Sequence, residues 1–225
     1  MLYKSIFTVV AVVAAVLLTG CGEKAPPSDS GSTFKDSRDG KTYKTVKIGS
    51  QIWFAENLNF AAKGSKCYEN KDANCAKYGR LYDWTTANKA CPAGYHLPTD
   101  DEWTALVNYA GGEEKAGKKL KSTVGWDENG NGTDDFDFRA LPGGGDGWGD
   151  DNGFGGAGEG GNWWSATELD AEVVERASAN IPKGFPKPDA ADFAWNRELE
   201  YGDNNVGRGG IQKERLYSVR CVQDW

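Results

Sequence analysis

The chain has 225 residues, with 26 lysines and arginines against 33 aspartates and glutamates, so its formal net charge at pH 7 is -7. This acidity argues against nucleic acid as a partner, because phosphate binding requires a basic surface. Hydrophobic residues make up 39% of the chain, enough for one sizeable core, and 30 glycines favour turns and short elements over long helices.

The first twenty residues have the pattern of a bacterial export signal. Residues 6–18 are uncharged and follow Lys4, and as a helix they would span only about 20 Å of a roughly 30 Å hydrocarbon core. The sequence Leu18-Thr19-Gly20-Cys21 resembles the lipobox of bacterial lipoproteins. We therefore predict a signal peptide over residues 1–20 and acylation of Cys21, which anchors the mature protein to a membrane without spanning it. A plain secretory peptide with an incidental cysteine is the alternative.

The next segment has the composition of a linker. Residues 22–32 contain Pro, Ser, Gly and charged residues but no large apolar side chain, so residues 21–32 are predicted to form a flexible tether and residues 33–225 the folded domain. Removal of residues 1–20 takes away one lysine and no acid, which leaves 25 minus 33, a mature charge of -8.

Four cysteines follow Cys21 in the chain. Their spacing matches no zinc or thioredoxin motif, and four thiols allow three pairings. We expect Cys67 to pair with Cys75 around a short polar loop, and Cys91 to pair with Cys221, which would tie the middle of the domain to its C-terminus. Disulfides of this kind indicate an oxidising compartment.

The first predicted elements of the domain are a hairpin and two helices. Residues 44–48 and 51–55 are strand-like and flank Gly49-Ser50, a pair suited to a type II′ turn. A short helix is predicted over residues 82–90. The clearest helix begins at Thr99, where Thr99 and Glu102 form a capping box, and it stops at Gly111-Gly112.

The second half of the chain changes character. After Lys121, short strands are predicted between glycine-rich loops, near residues 136–141, 162–167, 191–199, 204–208 and 216–222.

Eight motifs in order give the chain a family resemblance. They are DSRDGKTY at 36–43, IGSQIWFAENLN at 48–59, GRLY at 79–82, CPAGYHLPT at 91–99, GTDDF at 132–136, ALPGG at 140–144, WWSAT at 163–167 and SVRCV at 218–222. Together they resemble the Fibrobacter succinogenes major paralogous domain over residues 34–223.

The resemblance implies a fold and not an activity. Such domains are more distantly similar to the C-type-lectin-like fold of formylglycine-generating enzymes. The implied fold class is α+β, with short antiparallel strands, two or three short helices and long glycine-rich loops. Residues 169–190 depart from the family pattern and are interpreted as an insertion with a short helix and a surface loop.

One loop is rich in the oxygen ligands that calcium prefers. Residues 127–135 read DENGNGTDD, similar to the first half of an EF-hand loop, but Phe138 stands where the bidentate glutamate would be. A looser Ca²⁺ site is therefore the only cofactor candidate, and a metal-free Asx-rich turn is its alternative. The candidate ligands are Asp127, Asn129, Asn131, Asp134 and Asp135.

Four tryptophans are candidates for sugar binding, because a flat indole can cover the apolar face of a pyranose. They are Trp148, Trp163, Trp164 and Trp195, with Arg197 as a polar partner. Core packing is the alternative for at least one of Trp163 and Trp164, since neighbours in a strand face opposite ways. Arg197 and Arg220 could equally form structural ion pairs.

His96 is the only histidine, and its place before a helix start favours a structural role over a catalytic one. We therefore expect no enzyme activity, but a lipid-anchored module at the bacterial outer membrane and cell surface that binds plant-cell-wall glycan or serves adhesion. A structural or assembly lipoprotein that contacts another envelope protein is the alternative. A formylglycine-generating type of enzyme is the third hypothesis, and it would require free cysteines.

Overall fold

The computed structural model describes residues 32–147, 153–179 and 187–225. The predicted signal peptide, most of the tether with Cys21, and Trp148 lie outside the described residues. Among the described residues, no helix is long and apolar enough to cross a bilayer.

The described chain contains twelve strands and five α-helices. The strands are β1 Ser32–Lys35, β2 Thr42–Ile48, β3 Gln51–Phe54, β4 Leu81–Tyr82, β5 Tyr95–His96, β6 Gly143–Asp146, β7 Phe154–Ala157, β8 Gly160–Glu168, β9 Phe193–Glu200, β10 Gly207–Gln212, β11 Tyr217–Ser218 and β12 Val222–Gln223. The helices are α1 Asp72–Tyr78, α2 Trp84–Ala87, α3 Asp100–Ala110, α4 Glu113–Leu120 and α5 Ala171–Ala177. This composition confirms the α+β class, although the domain has more helices than the two or three expected.

The strands form two sheets. One has the order β1-β2-β3-β12-β5 and is antiparallel throughout. The other has the order β10-β9-β8-β11-β4, with β6 and β7 attached through β8. In this second sheet β8 pairs in parallel with β11 and with β6, while its pairing with β9 is antiparallel. The last strands of the chain therefore enter both sheets and join them.

The hairpin and the capped helix confirm the sequence predictions. Ile48 pairs with Gln51, so Gly49 and Ser50 form a two-residue turn, and only Gly49 has a positive φ, 61°, as a type II′ turn requires. The capping box of Thr99 and Glu102 is complete, and Gly111 ends α3 with a φ of 117°.

Other elements differ from the predictions. Helix α2 is shorter than residues 82–90, because Tyr82 belongs to β4. Helix α4 was not predicted, since its sequence contains Gly117, a poor helix residue. A side chain at this position would collide with the carbonyl oxygens of Asn204 and Asn205, each 2.5 Å from the Cβ position, so close packing requires the glycine. The strand expected at 136–141 is an irregular loop.

Both faces of β8 are covered by apolar side chains. Trp163 belongs to the core cluster that includes Trp103 and the inner face of α3. Its neighbour Trp164 belongs to a second cluster around Tyr82 and Tyr217. The sheet therefore lies between two parts of the core.

The two disulfides join Cys67 to Cys75 and Cys91 to Cys221, as expected from the sequence. The first closes a loop that contains the start of α1. The second ties the segment before β5 to the residue before β12.

The described part of the segment 169–190 includes the predicted short helix, α5. Val174 of this helix packs with Leu169 and Trp195 in a small third cluster, separate from the two main ones. The segment is therefore attached to the outside of the sheet through its own apolar contacts.

Candidate functional site

An open groove with a volume of about 830 Å³ lies on the surface of the described domain. One wall is formed by the start of β2 and the segment after β3, and another by the end of α1 with Gly79. Residues 122–124 and 133–141 contribute the remaining side. The groove therefore lies where five segments of the chain meet.

The lining of the groove is polar and carries charges of both signs. The cations are Lys41, Lys77 and Arg139, and the anions are Glu56, Asp134 and Asp137. Hydroxyl and amide groups accompany them, on Thr42, Asn57, Asn59, Ser122, Thr123 and Thr133. Val124, which is 65% exposed, is an apolar residue among them. Such a lining suits a hydrated, hydroxyl-bearing or charged ligand better than an apolar one.

The loop 134–139 has an unusual backbone. Asp134, Asp137 and Arg139 all have positive φ angles, of 51°, 55° and 54°. Aspartate tolerates this left-handed conformation better than most residues, but arginine rarely adopts it, and for Arg139 it costs about 1–2 kcal/mol. Strained residues of this kind persist only where surrounding contacts hold them, and they cluster at binding sites.

Arg220 lies beneath the loop 134–139 and anchors it through hydrogen bonds. Its side chain is completely buried and donates hydrogen bonds to the carbonyl oxygens of Phe138 and Arg139, while its guanidinium lies 4.4 Å from the centre of the Phe138 ring. Burial lowers the pKa of Arg220, and the charges of Glu56 and Asp134 act in the opposite direction. A buried cation therefore fixes the floor of the groove.

Asn57 connects the family motifs around Arg220. Its Oδ1 accepts hydrogen bonds from Trp163 Nε1 at 2.9 Å and from Arg220 Nη2 at 2.7 Å. Its Nδ2 donates to the carbonyl oxygen of Tyr78 at 2.8 Å and to Ser218 Oγ at 3.3 Å. The residues of AENLN, WWSAT and SVRCV thus form one buried network beneath the groove.

Asp134 is a titratable group of the groove whose pKa is strongly shifted. Burial raises its pKa to about 6, although the hydrogen bond from the backbone N–H of Arg139, at 2.8 Å, acts in the opposite direction. Asp137 raises it further, and the charges of Arg139 and Arg220 lower it. The carboxyl group therefore changes its charge near neutral pH.

Three of the four tryptophans considered for sugar binding are buried, and the expectation was wrong for these three. Trp163 and Trp164 are 1% and 0% exposed, and their indole nitrogens donate to Asn57 Oδ1 and to the carbonyl oxygen of Tyr82. Both are buried because core residues cover each face of β8. Trp195 is 7% exposed, and the guanidinium of Arg208 covers its ring at 3.5 Å. Trp148 lies outside the described residues.

Arg197 is also a structural residue and does not face a ligand site. It is 1% exposed, and its Nη2 donates to Asp100 Oδ1 at 2.6 Å and to Thr104 Oγ1 at 2.8 Å. The other carboxylate oxygen of Asp100 accepts from Arg208 Nε at 2.9 Å. This agrees with the alternative interpretation as an ion pair.

The three aspartates considered for calcium do not form a metal site in the described structure. Among the described residues, no group of three or more His, Cys, Asp or Glu side chains is arranged to hold a metal ion, so Asp127, Asp134 and Asp135 do not converge. Asn131 Oδ1 accepts from the backbone N–H of Trp126, and Asn129 has a left-handed backbone with a φ of 63°. The geometry favours the Asx-rich turn.

His96 lies outside the groove, between two carboxylates. Its Nδ1 is 2.7 Å from Asp224 Oδ1 and its Nε2 is 2.8 Å from Glu102 Oε1. Burial would lower the pKa of His96, but these two hydrogen bonds outweigh it and the pKa is raised. Both ring nitrogens are engaged, and they join α3 to the residue that follows β12.

Sequence analysis missed most of the groove. Lys77 belonged to no motif, and residues 136–141 were predicted to form a strand. Asp134 was considered only as a calcium ligand. The neighbouring motif GTDDF was the available signal, but its significance depends on contacts with Arg220, 81 positions after Arg139.

The described residues thus form an α+β domain that has two disulfides and an open polar groove above a buried arginine, Arg220. The chain belongs to the Fibrobacter succinogenes major domain family, whose model matches residues 46–223. No curated protein and no solved structure matches the chain. The more distant resemblance to the C-type-lectin-like fold therefore stays a prediction.

Proposed function

We propose that this protein is a lipid-anchored, non-catalytic module of the bacterial outer membrane that binds a glycan at the cell surface. The observation that carries the proposal is the groove, which is large, open and lined by hydroxyl, amide and charged side chains. Sugar hydroxyl groups need such partners, and the rigid loop over Arg220 presents them without rearrangement.

Two observations support a non-catalytic role. The only histidine has both ring nitrogens engaged by carboxylates, outside the groove. The four cysteines of the described residues are all in disulfides, which leaves no thiol there for a formylglycine-type oxidation. A thiol assay on the native, folded domain that found two reactive thiols would contradict this part of the proposal.

The anchor can be tested by mass spectrometry of the protein made in its bacterial host. We expect the mature chain to begin at Cys21 and to carry acyl groups, and Cys21→Ser to abolish both acylation and membrane association. Protease treatment of intact cells should degrade the domain if it faces outward. An unacylated mature chain would contradict the proposal.

Glycan binding can be tested with the soluble domain that lacks the anchor. Binding to insoluble xylan and cellulose and to a glycan array should be lost in Thr123→Trp, because the indole would fill the groove that Thr123 lines. Thr85→Trp is the matched control, since Thr85 is an exposed residue of α2 outside the groove. Cross-linking to an envelope protein without any glycan binding would favour the assembly role instead.

A further inference from the structure

The groove continues into a second cavity. This cavity has a volume of about 270 Å³ and is lined by residues of β1 and β2, including Thr33, Lys44 and Thr45. Both depressions share Ala55, Asp137 and Arg139. Together they form one elongated depression that extends from the end of α1 to β1, with Arg139 at the junction.

The backbone of Arg139 is fixed before any ligand arrives. Its φ of 54° is held because Asp134 accepts its N–H and Arg220 donates to its carbonyl oxygen. The side chain nevertheless remains 41% exposed. A strained, doubly anchored residue with an exposed charged side chain is the arrangement expected of a ligand-binding position.

The guanidinium of Arg139 has hydrogen-bonding capacity left. Its two ion pairs are long, 3.9 Å from Nε to Asp134 Oδ2 and 3.6 Å from Nη2 to Asp137 Oδ1, both beyond normal hydrogen-bond distance. Guanidinium has five N–H donors in a planar fork that matches a carboxylate. Arg139 can therefore bind an incoming carboxylate in a bidentate manner.

The charge of the depression differs from that of the whole chain. Lys41, Lys77 and Arg139 in the groove and Lys44 in the second cavity make four cations against three anions. The complete chain has 26 cations against 33 anions. Lys41 is also paired with Asp39, whose Oδ2 lies 3.1 Å from its Nζ, so the lining is close to neutral. An anionic ligand therefore meets less repulsion at the depression than the net charge of the whole chain would produce.

We propose that the ligand is a linear glycan bearing carboxylate groups, which lies along both cavities and places one carboxylate against Arg139. This inference rests on the proposed function of the groove as a glycan site. Thr33 lines the second cavity, and Thr42 and Thr123 line the groove, so their hydroxyl groups are the proposed partners of the sugar hydroxyls along the chain.

The test compares two ligands of equal length by isothermal titration calorimetry. We expect galacturonate oligomers to bind the soluble domain about tenfold more tightly than the same oligomers with their carboxylates reduced to alcohols. This preference should decline as salt is raised. Arg139→Gln should abolish the preference and Arg139→Lys should retain part of it. Arg176→Gln, an exposed arginine of α5 outside both cavities, should leave it unchanged.

Oligomer length tests whether both cavities are used. Affinity should increase with length until both are filled. Lys44→Gln should weaken binding of long oligomers only, because Lys44 lines the second cavity alone. Lys77→Gln should weaken binding of short and long oligomers alike, because Lys77 lines the groove.

The outcomes separate this inference from the proposed function. Equal binding of acidic and reduced oligomers would overturn the inference and leave the groove a glycan site. A preference that persists in Arg139→Gln, in a variant with an unchanged melting temperature, would overturn the role of Arg139. Absence of binding to any glycan would refute the proposed function and the inference together.

Discussion

Asn57 and Arg220 show how single residues determine the shape of the groove. Arg220 is buried without a carboxylate within ion-pair distance among the described residues, and its charge is balanced by oxygen atoms of Asn57 and of the backbone at Phe54, Phe138 and Arg139. A buried charge is tolerated only when such hydrogen bonds are complete. The motif residues therefore form a structural network beneath the groove.

Replacement of Asn57 should disrupt this network. We expect Asn57→Ala to lower the free energy of unfolding by about 3–5 kcal/mol, because Arg220 and Trp163 Nε1 lose a shared acceptor in the core. Urea denaturation measures the change. Asn59→Ala, two residues later on the groove wall, is the matched control and should cost less than about 1 kcal/mol. Similar losses of unfolding free energy in the two variants would show that Asn57 is not the central residue of this network.

Asp134 should make stability depend on pH. Its pKa is about 6 in the folded protein against an ordinary value of 3.8, so between these values the folded state holds a proton that the unfolded chain has lost. The free energy of unfolding should therefore fall as the pH rises from about 4 to about 6, by up to about 3 kcal/mol.

Asp134→Asn is the variant that tests this. Asparagine stays neutral, keeps a side-chain oxygen for the N–H of Arg139 and tolerates a positive φ. We expect it to be more stable than the unmodified domain above pH 6 and similar below pH 4, as measured by thermal melts across this range. Glu198, whose pKa burial and Glu200 also raise to about 6, should account for part of the remaining slope. If the melting temperatures of the two proteins changed in the same way with pH, the assignment of this pH dependence to Asp134 would be contradicted.

At the scale of elements, α3 connects the two sheets, and its first turn is the contact point. Glu102 accepts from the backbone N–H of Thr99 at 2.8 Å and from Thr99 Oγ1 at 2.9 Å, and it also contacts His96. Asp100, in the same turn, binds Arg197 and Arg208 of the second sheet. The acids that the sequence placed at a helix start thus serve the helix and the packing of both sheets.

The contribution of the N-terminal cap of α3 to stability can be measured separately. We expect Thr99→Ala to lower the free energy of unfolding by about 1 kcal/mol, because the N–H of Glu102 loses its acceptor and the carboxylate loses a donor. Thr99→Ser keeps the hydroxyl group and should restore most of the loss. If serine and alanine were equally destabilising, the contribution would come from the methyl group of Thr99 and not from the cap.

At the scale of the whole molecule, the two disulfides constrain the chain to different degrees. The sequence separation is 8 for Cys67 and Cys75 and 130 for Cys91 and Cys221. Loop-closure entropy makes the long connection more stabilising, at about 5 kcal/mol against about 2.5 kcal/mol for the short one. The long disulfide also joins the segment before α3 to the strand that completes the first sheet.

Double alanine variants of each pair test this difference. Cys91→Ala/Cys221→Ala should lower the midpoint of urea unfolding about twice as much as Cys67→Ala/Cys75→Ala, and neither variant leaves an unpaired thiol in its pair. Strain that reduces both contributions by the same amount changes their ratio but not their order. A larger loss in the short-loop variant would contradict the entropic argument.

The sequence by itself determined the local features and the family. The Gly49-Ser50 turn and the capping box at Thr99 depend on neighbouring residues, so both could be recognised without knowledge of the fold. The eight motifs identified the family, which the match over residues 46–223 shows. Only the tertiary structure decided that Trp163 and Trp164 are both buried, that 134–139 is a strained loop, and that Arg139 lies at the junction of two cavities. The physical reason is that burial and preorganisation come from contacts between distant residues, such as the bond from Arg220 to Arg139, which no local pattern encodes.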